Sequence, residues 1–190
     1  MSPPVTHFCC LRKHPLAYTL VVPWYPQAII GIVAGITLAL LAVRPFRVWV
    51  LHVNICYLIA FHLTRFVGFY LLYLYSRHEL PYAFAVRGGI GDILVATLAC
   101  VLLFFANFKP ALITWNILGS IDILDVVITV ARSESAVPGS MHQLDHFPLI
   151  LLPTIIVPLV IVIHGLIFYR TLRPFGWAYA QRIDHGPADQ

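Results

Sequence analysis

Residues 147–169 read FPLILLPTIIVPLVIVIHGLIFY, with no Asp, Glu, Lys or Arg in the run. A helix rises about 1.5 Å per residue, so about 20 mostly apolar residues cross a hydrocarbon core roughly 30 Å thick. The stretch therefore reads as a transmembrane helix. Working outward, four more stretches qualify: 24–43, 47–76, 82–107 and 110–131. Pro23 and Pro26 mark the start of the first, Pro81 and Pro110 the starts of the third and fourth, where proline is tolerated. The second is long enough that it should tilt or project from the bilayer. Short connections near Arg44-Pro45, 76–81 and 107–110 imply antiparallel neighbours. The one long connection, a polar loop over 132–146, carries Pro138-Gly139, and a polar tail covers 171–190.

The composition agrees. The chain is 60% hydrophobic and 11% charged, with mean hydropathy +0.86, against roughly 45–50% and about 25% for soluble domains. That excludes a soluble globular enzyme, a disordered chain and a nucleic-acid module. The net charge of +4 reads as membrane flanks, so the expected partner is a lipid bilayer and not nucleic acid. The expected fold is all-α: one polytopic membrane domain over 1–190, a bundle of about five transmembrane helices. The first fourteen residues lack the apolar core and cleavage site of a secretory signal, and Cys9-Cys10 beside Arg12 and Lys13 offers a site for acylation. Arg44, Arg47, Lys109, Arg170, Arg173 and Arg182 fall on one side. Arg12, Lys13, Arg77 and Arg132, mixed with Glu79, Glu134 and Asp145, fall on the other. The positive-inside rule places the first set in the cytoplasm of a cell-membrane protein, with the N-terminus outside and the C-terminus inside.

Ionisable residues cost roughly 2.5–3.5 kcal/mol at mid-bilayer and so mark function. The second span carries His52, Asn54, His62 and Arg65, the third opens on Arg87-Gly88-Gly89-Ile90-Gly91-Asp92, the fourth carries Asn116, Asp122 and Asp125, and the fifth His164. Asn116, Gly119, Asp122 and Asp125 step by three along one helix face. Depth places Arg65, Asp92, Asp122 and Asp125 in one half of the membrane and Asn116, His164 and His52 in the other: a charged layer and a neutral one. Arg65 offsets one carboxylate and Arg87 a second, which leaves at least one to take up a proton or bind a cation. The glycines of the third span serve either close helix packing or an anion-binding helix start. Pro153 and Pro158 kink the fifth span beside this layer. Trp24, Tyr25, Trp177 and Tyr179 serve as interface anchors.

Two cofactors fit the residue types. His142 and His146, four apart around Asp145, would share a helix face and could join His62, Asp122 and Asp125 around a divalent metal such as zinc, iron or manganese. His52 and His164, both in the neutral layer, would be the axial pair of a haem. The pattern as a whole resembles a group of small bacterial multi-pass membrane proteins without an assigned activity. It is carried by Arg65-x-x-Gly68, Leu80-Pro81, Gly91-Asp92, Trp115-Asn116 with Gly119 and Asp122, and Pro148, Pro153, Pro158 with His164. The resemblance covers roughly 60–170 and implies that Arg65, Asp92, Asn116, Asp122 and His164 belong together. Three functions follow. The first is proton- or cation-coupled transport of a small solute, with Arg65, Asp92, Asn116, Asp122, Asp125 and His164 as binding residues. The second is a membrane-embedded metal or haem enzyme acting on a lipid-like substrate. The third is an accessory subunit of a larger membrane complex. A homo-oligomer would make up for the small number of spans.

Overall fold

The computed structural model describes residues 24–104 and 109–172; Cys9-Cys10, Trp177 and Tyr179 lie outside them. Every regular element among the described residues is helical. Helix α1 (Trp24–Ala42) is followed by α2 (Arg44–His52), then by α3 (Ile55–Phe61), a 3₁₀ stretch (His62–Val67) and α4 (Gly68–Ser76), which run on as one rod. A π-helical turn (Ala83–Gly88) leads into α5 (Gly89–Phe104). Helix α6 spans Lys109–Ala136, and a second π turn (Leu152–Ile156) leads into α7 (Val157–Leu172). Five of these rods are long and apolar enough to cross a membrane: Trp24–Ala42, Ile55–Ser76, Ala83–Phe104, Lys109–Ala136 and Leu152–Leu172. The chain thus has the make-up of a multi-pass membrane protein.

The expected second span, 47–76, is not one tilted helix. Val53 (φ −59°, ψ 130°) and Asn54 (φ −57°, ψ 137°) leave the helical region, and Asn54 Oδ1 accepts the Cys56 N–H at 2.7 Å, capping a new helix. The break strands the Val53 carbonyl, which accepts from Arg170 Nη1 of α7. What precedes it, RPFRVWVLH, becomes the separate helix α2, with Arg44, Arg47 and His52 along it.

The connection after α6 differs as well. The helix continues through Arg132–Ala136, and residues 137–151 fold back over the end of the bundle rather than forming a solvated loop. The Glu134 carboxylate accepts the N–H groups of Gly139 (2.6 Å) and Met141 (3.0 Å). Gly139 turns the chain at φ +84°, in the left-handed region that favours glycine. Met141, Leu144 and Leu149 are thereby buried. At the start of α1, Trp24 Nε1 and the Tyr25 hydroxyl both reach Asp145 Oδ1, at 3.1 and 2.9 Å. Gln143 donates to Glu79 at 3.1 Å. These contacts put the start of α1, the α4–α5 connection and the α6–α7 connection at one end of the bundle, the loop end. Arg44, Arg47, Lys109 and Arg170 mark the opposite, basic end.

The apolar core is in two parts. One, near the loop end, gathers Tyr25, Ile29, Leu71, Leu74, Phe84, Ile123, Val126 and Val130 with Met141 and Leu144. The other, toward the basic end, gathers Ile55, Ile59, Val95, Ala99, Leu112, Trp115, Ile163 and Ile167. Between them lie the buried polar side chains His62, Arg65, Asp92, Asn116 and His164. Five crossings, if each long helix spans once, would place the two ends on opposite sides of a bilayer. With Cys9, Cys10, Cys56 and Cys100 replaced by serine, single cysteines at Ser135 and Trp49 should react with an impermeant maleimide from opposite faces of sealed vesicles. Labelling of both from one face would exclude the five-crossing topology.

Candidate functional site

Three elements bring charges to one point. The 3₁₀ stretch has about three residues per turn, so side chains three apart eclipse. It aligns His62, Arg65 and Gly68 on one line facing inward, and all three are buried. The Arg65 guanidinium then sits between two carboxylates. Its Nε donates to Asp92 Oδ1 of α5 at 2.6 Å, its Nη2 to Asp122 Oδ2 of α6, and its Nη1 to the Gly119 carbonyl at 3.3 Å. The rigid planar fork of arginine suits it to hold two acids at once. Exposure falls across the cluster: the Asp122 side chain is 20% exposed, that of Asp92 9% and that of Arg65 2%.

Glycines make the approach possible. A Cβ on Gly68 would collide with the Gly89 carbonyl, and one on Gly91 would occupy the place of the Asp122 carboxylate. A Cβ on Gly119 would come within 2.6 Å of His164 Cε1. The Arg87–Asp92 stretch is helical throughout, so its glycines serve close packing, and no helix starts there to bind an anion.

Asp125 departs from the expected face. At about 100° per residue, steps of three lag a full turn by about 60° each, so three steps carry Asp125 half-way round α6 from Asn116. Asn116 is fully buried, whereas Asp125 is about half exposed on the flank of the bundle, 3.7 Å from Arg87 Nη2.

The neutral layer adjoins the charged one through Gly119. Asn116 Nδ2 donates to the His164 carbonyl at 3.1 Å, which turns its Oδ1 toward His164 Nδ1 at 2.7 Å. An amide oxygen accepts only, so Nδ1 of His164 carries the proton and Nε2 presents a lone pair. The His62 ring lies 4.3 Å from that of His164, centroid to centroid, and edge-on to Trp115 at 4.8 Å. His164 Nε2 and both ring nitrogens of His62 are buried without a hydrogen-bond partner among the described residues. Such orphaned polar atoms are rare in native interiors and call for a functional explanation.

His52 does not belong to this layer. It lies on exposed α2, with Nδ1 2.6 Å from the Val48 carbonyl, and the ring against His164 is His62. Two imidazoles in contact leave no room for a porphyrin plane between them, so the expected pairing of His164 with His52 is replaced by a direct His62–His164 contact. Nor does the structure assemble the metal set. His142 and His146 are exposed in the loop over the bundle end, and His62 is with His164 rather than with Asp122 and Asp125. Among the described residues, no three His, Cys, Asp or Glu side chains converge on a point that could hold a metal.

A cavity of about 40 Å³ runs from Arg65 and Asp92 toward the loop end, where Tyr25 and Leu144 line it; Pro153 of the π turn lines one wall. A water needs roughly 10–15 Å³ of such space, so the cavity admits about three. Three residues singled out in the sequence take a role there that the sequence did not indicate. Gly91 and Gly119 clear space for Asp122 and His164, and Tyr25, read as an interface anchor, joins the loop to the cavity.

Removing one member of a buried ion cluster strands the others. Arg65→Leu should destabilise the protein by roughly 3–5 kcal/mol in a denaturing-detergent titration. Adding Asp92→Asn and Asp122→Asn to Arg65→Leu should restore most of the loss, because neutral amides need no counter-charge. An unrestored triple variant would show that Arg65 stabilises by packing and not by charge.

No curated protein and no solved structure matches the chain. One protein family does, over residues 22–172, a segment that takes in all five long helices and every member of the cluster just described. The chain belongs to that family, which is described as a domain of unknown function (DUF8737).

Proposed function

We propose that the Arg65–Asp92–Asp122 cluster is the coupling site of a small proton- or cation-driven membrane transporter. The observation that carries this reading is the charge count: one guanidinium serves two carboxylates between two apolar cores. A net negative charge in such surroundings is unfavourable by several kcal/mol. A bound proton or small cation cancels it. The occupant exchanges with the loop side through the cavity that Asp92 lines. Binding at Asp122, the more open carboxylate, leaves Arg65 to Asp92 alone and so changes what holds α6 to the 3₁₀ stretch. The His164 lone pair and the neighbouring His62 ring continue the series of proton-accepting groups toward the basic end. By the positive-inside rule the basic end faces the cytoplasm, and the start of α1 faces outward.

A second reading, a homo-oligomer or a subunit of a larger membrane complex, rests on the Arg87–Asp125 pair. At 61% and 49% exposure, these charges lie on a helix flank that lipid tails cannot solvate and a second protein surface can.

Asp122→Asn is nearly isosteric and mimics the neutral acid. Infrared difference spectra of the wild type across about pH 5 to 9 should contain a protonated-carboxyl band that Asp122→Asn lacks, or a band shift on adding sodium. Spectra identical in the two proteins, with neither a band nor a cation response, would overturn the coupling reading.

A further inference from the structure

The opposite half of the bundle carries a feature that the coupling site does not use. Of the nineteen residues of α1 only Tyr25 and Ile29 are buried, both in its first two turns. Beyond them α1 stands away from α7, and a crevice of about 540 Å³ opens between the two helices. Val33, Leu40 and Leu41 form one wall, Ile161, Gly165 and Leu166 the other. Gly165 widens it, since nothing lies within 4 Å of where its Cβ would be. From Val33 to Leu41 the crevice runs about 12 Å along the helix axis, close to the depth of one leaflet of a core roughly 30 Å thick.

Its mouth is basic. Arg47 of α2 and Tyr169 of α7 line the end nearest the membrane surface. Arg47 is exposed and has no acidic partner among the described residues, and Arg44 lies one turn before it. Every described Asp and Glu belongs to the loop half or to the central cluster, so among the described residues no acid stands beside these arginines at the basic end. Helix α2 carries the composition of an interfacial helix: Arg44, Arg47 and His52 interleaved with Phe46, Val48 and Trp49. An apolar slot one leaflet deep beneath an exposed arginine at headgroup level, with no acidic partner among the described residues, is complementary to a phospholipid with an anionic headgroup.

We infer that the α1–α7 crevice binds an anionic phospholipid, with one acyl chain between Val33–Leu41 and Ile161–Leu166 and the headgroup phosphate on Arg47. The site is separate from the Arg65 cluster and does not depend on the coupling reading. The test uses the full chain in nanodiscs of phosphatidylcholine with one part in about ten of phosphatidylglycerol, followed by mild detergent extraction and native mass spectrometry. The wild type should retain phosphatidylglycerol about fivefold above its bulk share, the enrichment expected of one arginine at a membrane surface. Arg47→Gln should still retain a phospholipid, at the bulk ratio. Gly165→Leu, whose side chain enters open space and so leaves the helix packing intact, should retain neither. Wild type carrying lipids at the bulk ratio, or Gly165→Leu retaining phosphatidylglycerol as the wild type does, would overturn the site. Enrichment surviving Arg47→Gln would overturn the headgroup assignment.

Discussion

One guanidinium between two carboxylates sets the register of this bundle. Inside a bilayer, apolar side chains have little to gain by leaving lipid for protein, so helices are brought together by close packing and polar contacts. Arg65 supplies the polar contacts for three elements at one depth: α5 through Asp92, and α6 through both Asp122 and the Gly119 carbonyl. A shift of one residue along any of them would pull a charge out of reach and leave it unpaired. The glycines enforce the same register sterically, because Gly68 meets the Gly89 backbone and Gly91 faces Asp122. Charge and shape therefore select one arrangement, and neither would do so alone.

The 3₁₀ stretch is what lets one helix serve both layers. In an α-helix, His62 and Arg65 would diverge by about 60°; with three residues per turn they stand in line. His62 then meets His164 directly beside the level at which Arg65 meets Gly119. Asn116 fixes the His164 ring from the other side, and the absence of a side chain at Gly119 lets imidazole and guanidinium approach the same turn of α6. The geometry thus gathers four titratable side chains, Asp122, Asp92, His164 and His62, around one fixed positive charge.

The sequence made the long apolar helices legible because span length and hydropathy are local properties. That Arg65 would meet a carboxylate of the charged layer was legible too, because burying charge at mid-membrane leaves few options; that it would hold both Asp92 and Asp122 was not. The break at Asn54 was not. Asn54 lies in an otherwise apolar run, and its capping role appears only when Cys56 and the Arg170–Val53 contact are seen together. Asp125 was misplaced by treating steps of three as a straight line, an approximation that fails after two turns. His142 and His146 drew attention through their metal-like spacing, but spacing places ligands only if the segment is a regular helix, and here it is a short 3₁₀ turn whose folding depends on Glu134 and Gly139.

The dimensions of the cavity limit what can reach the charged cluster. With room for about three waters and walls that are apolar apart from Tyr25, Arg65 and Asp92, it suits protons, water and ions of similar size, and it is too narrow for a solute with a carbon skeleton. If the cluster drives the movement of such a solute, the solute must take another route, and the arrangement of charge indicates where. Asp122 is not among the residues that line the cavity and keeps 20% of its side chain exposed, and Asp125, one turn on along α6, pairs with Arg87 on the exposed flank of the bundle. On the coupling reading, protons would reach Asp92 from the cavity while Arg65 stays charged between the two acids, and a second chain seated on that flank would offer a solute path beside Asp122. On that proposed reading, a bundle of five spans would couple proton and solute without enclosing a pore of its own.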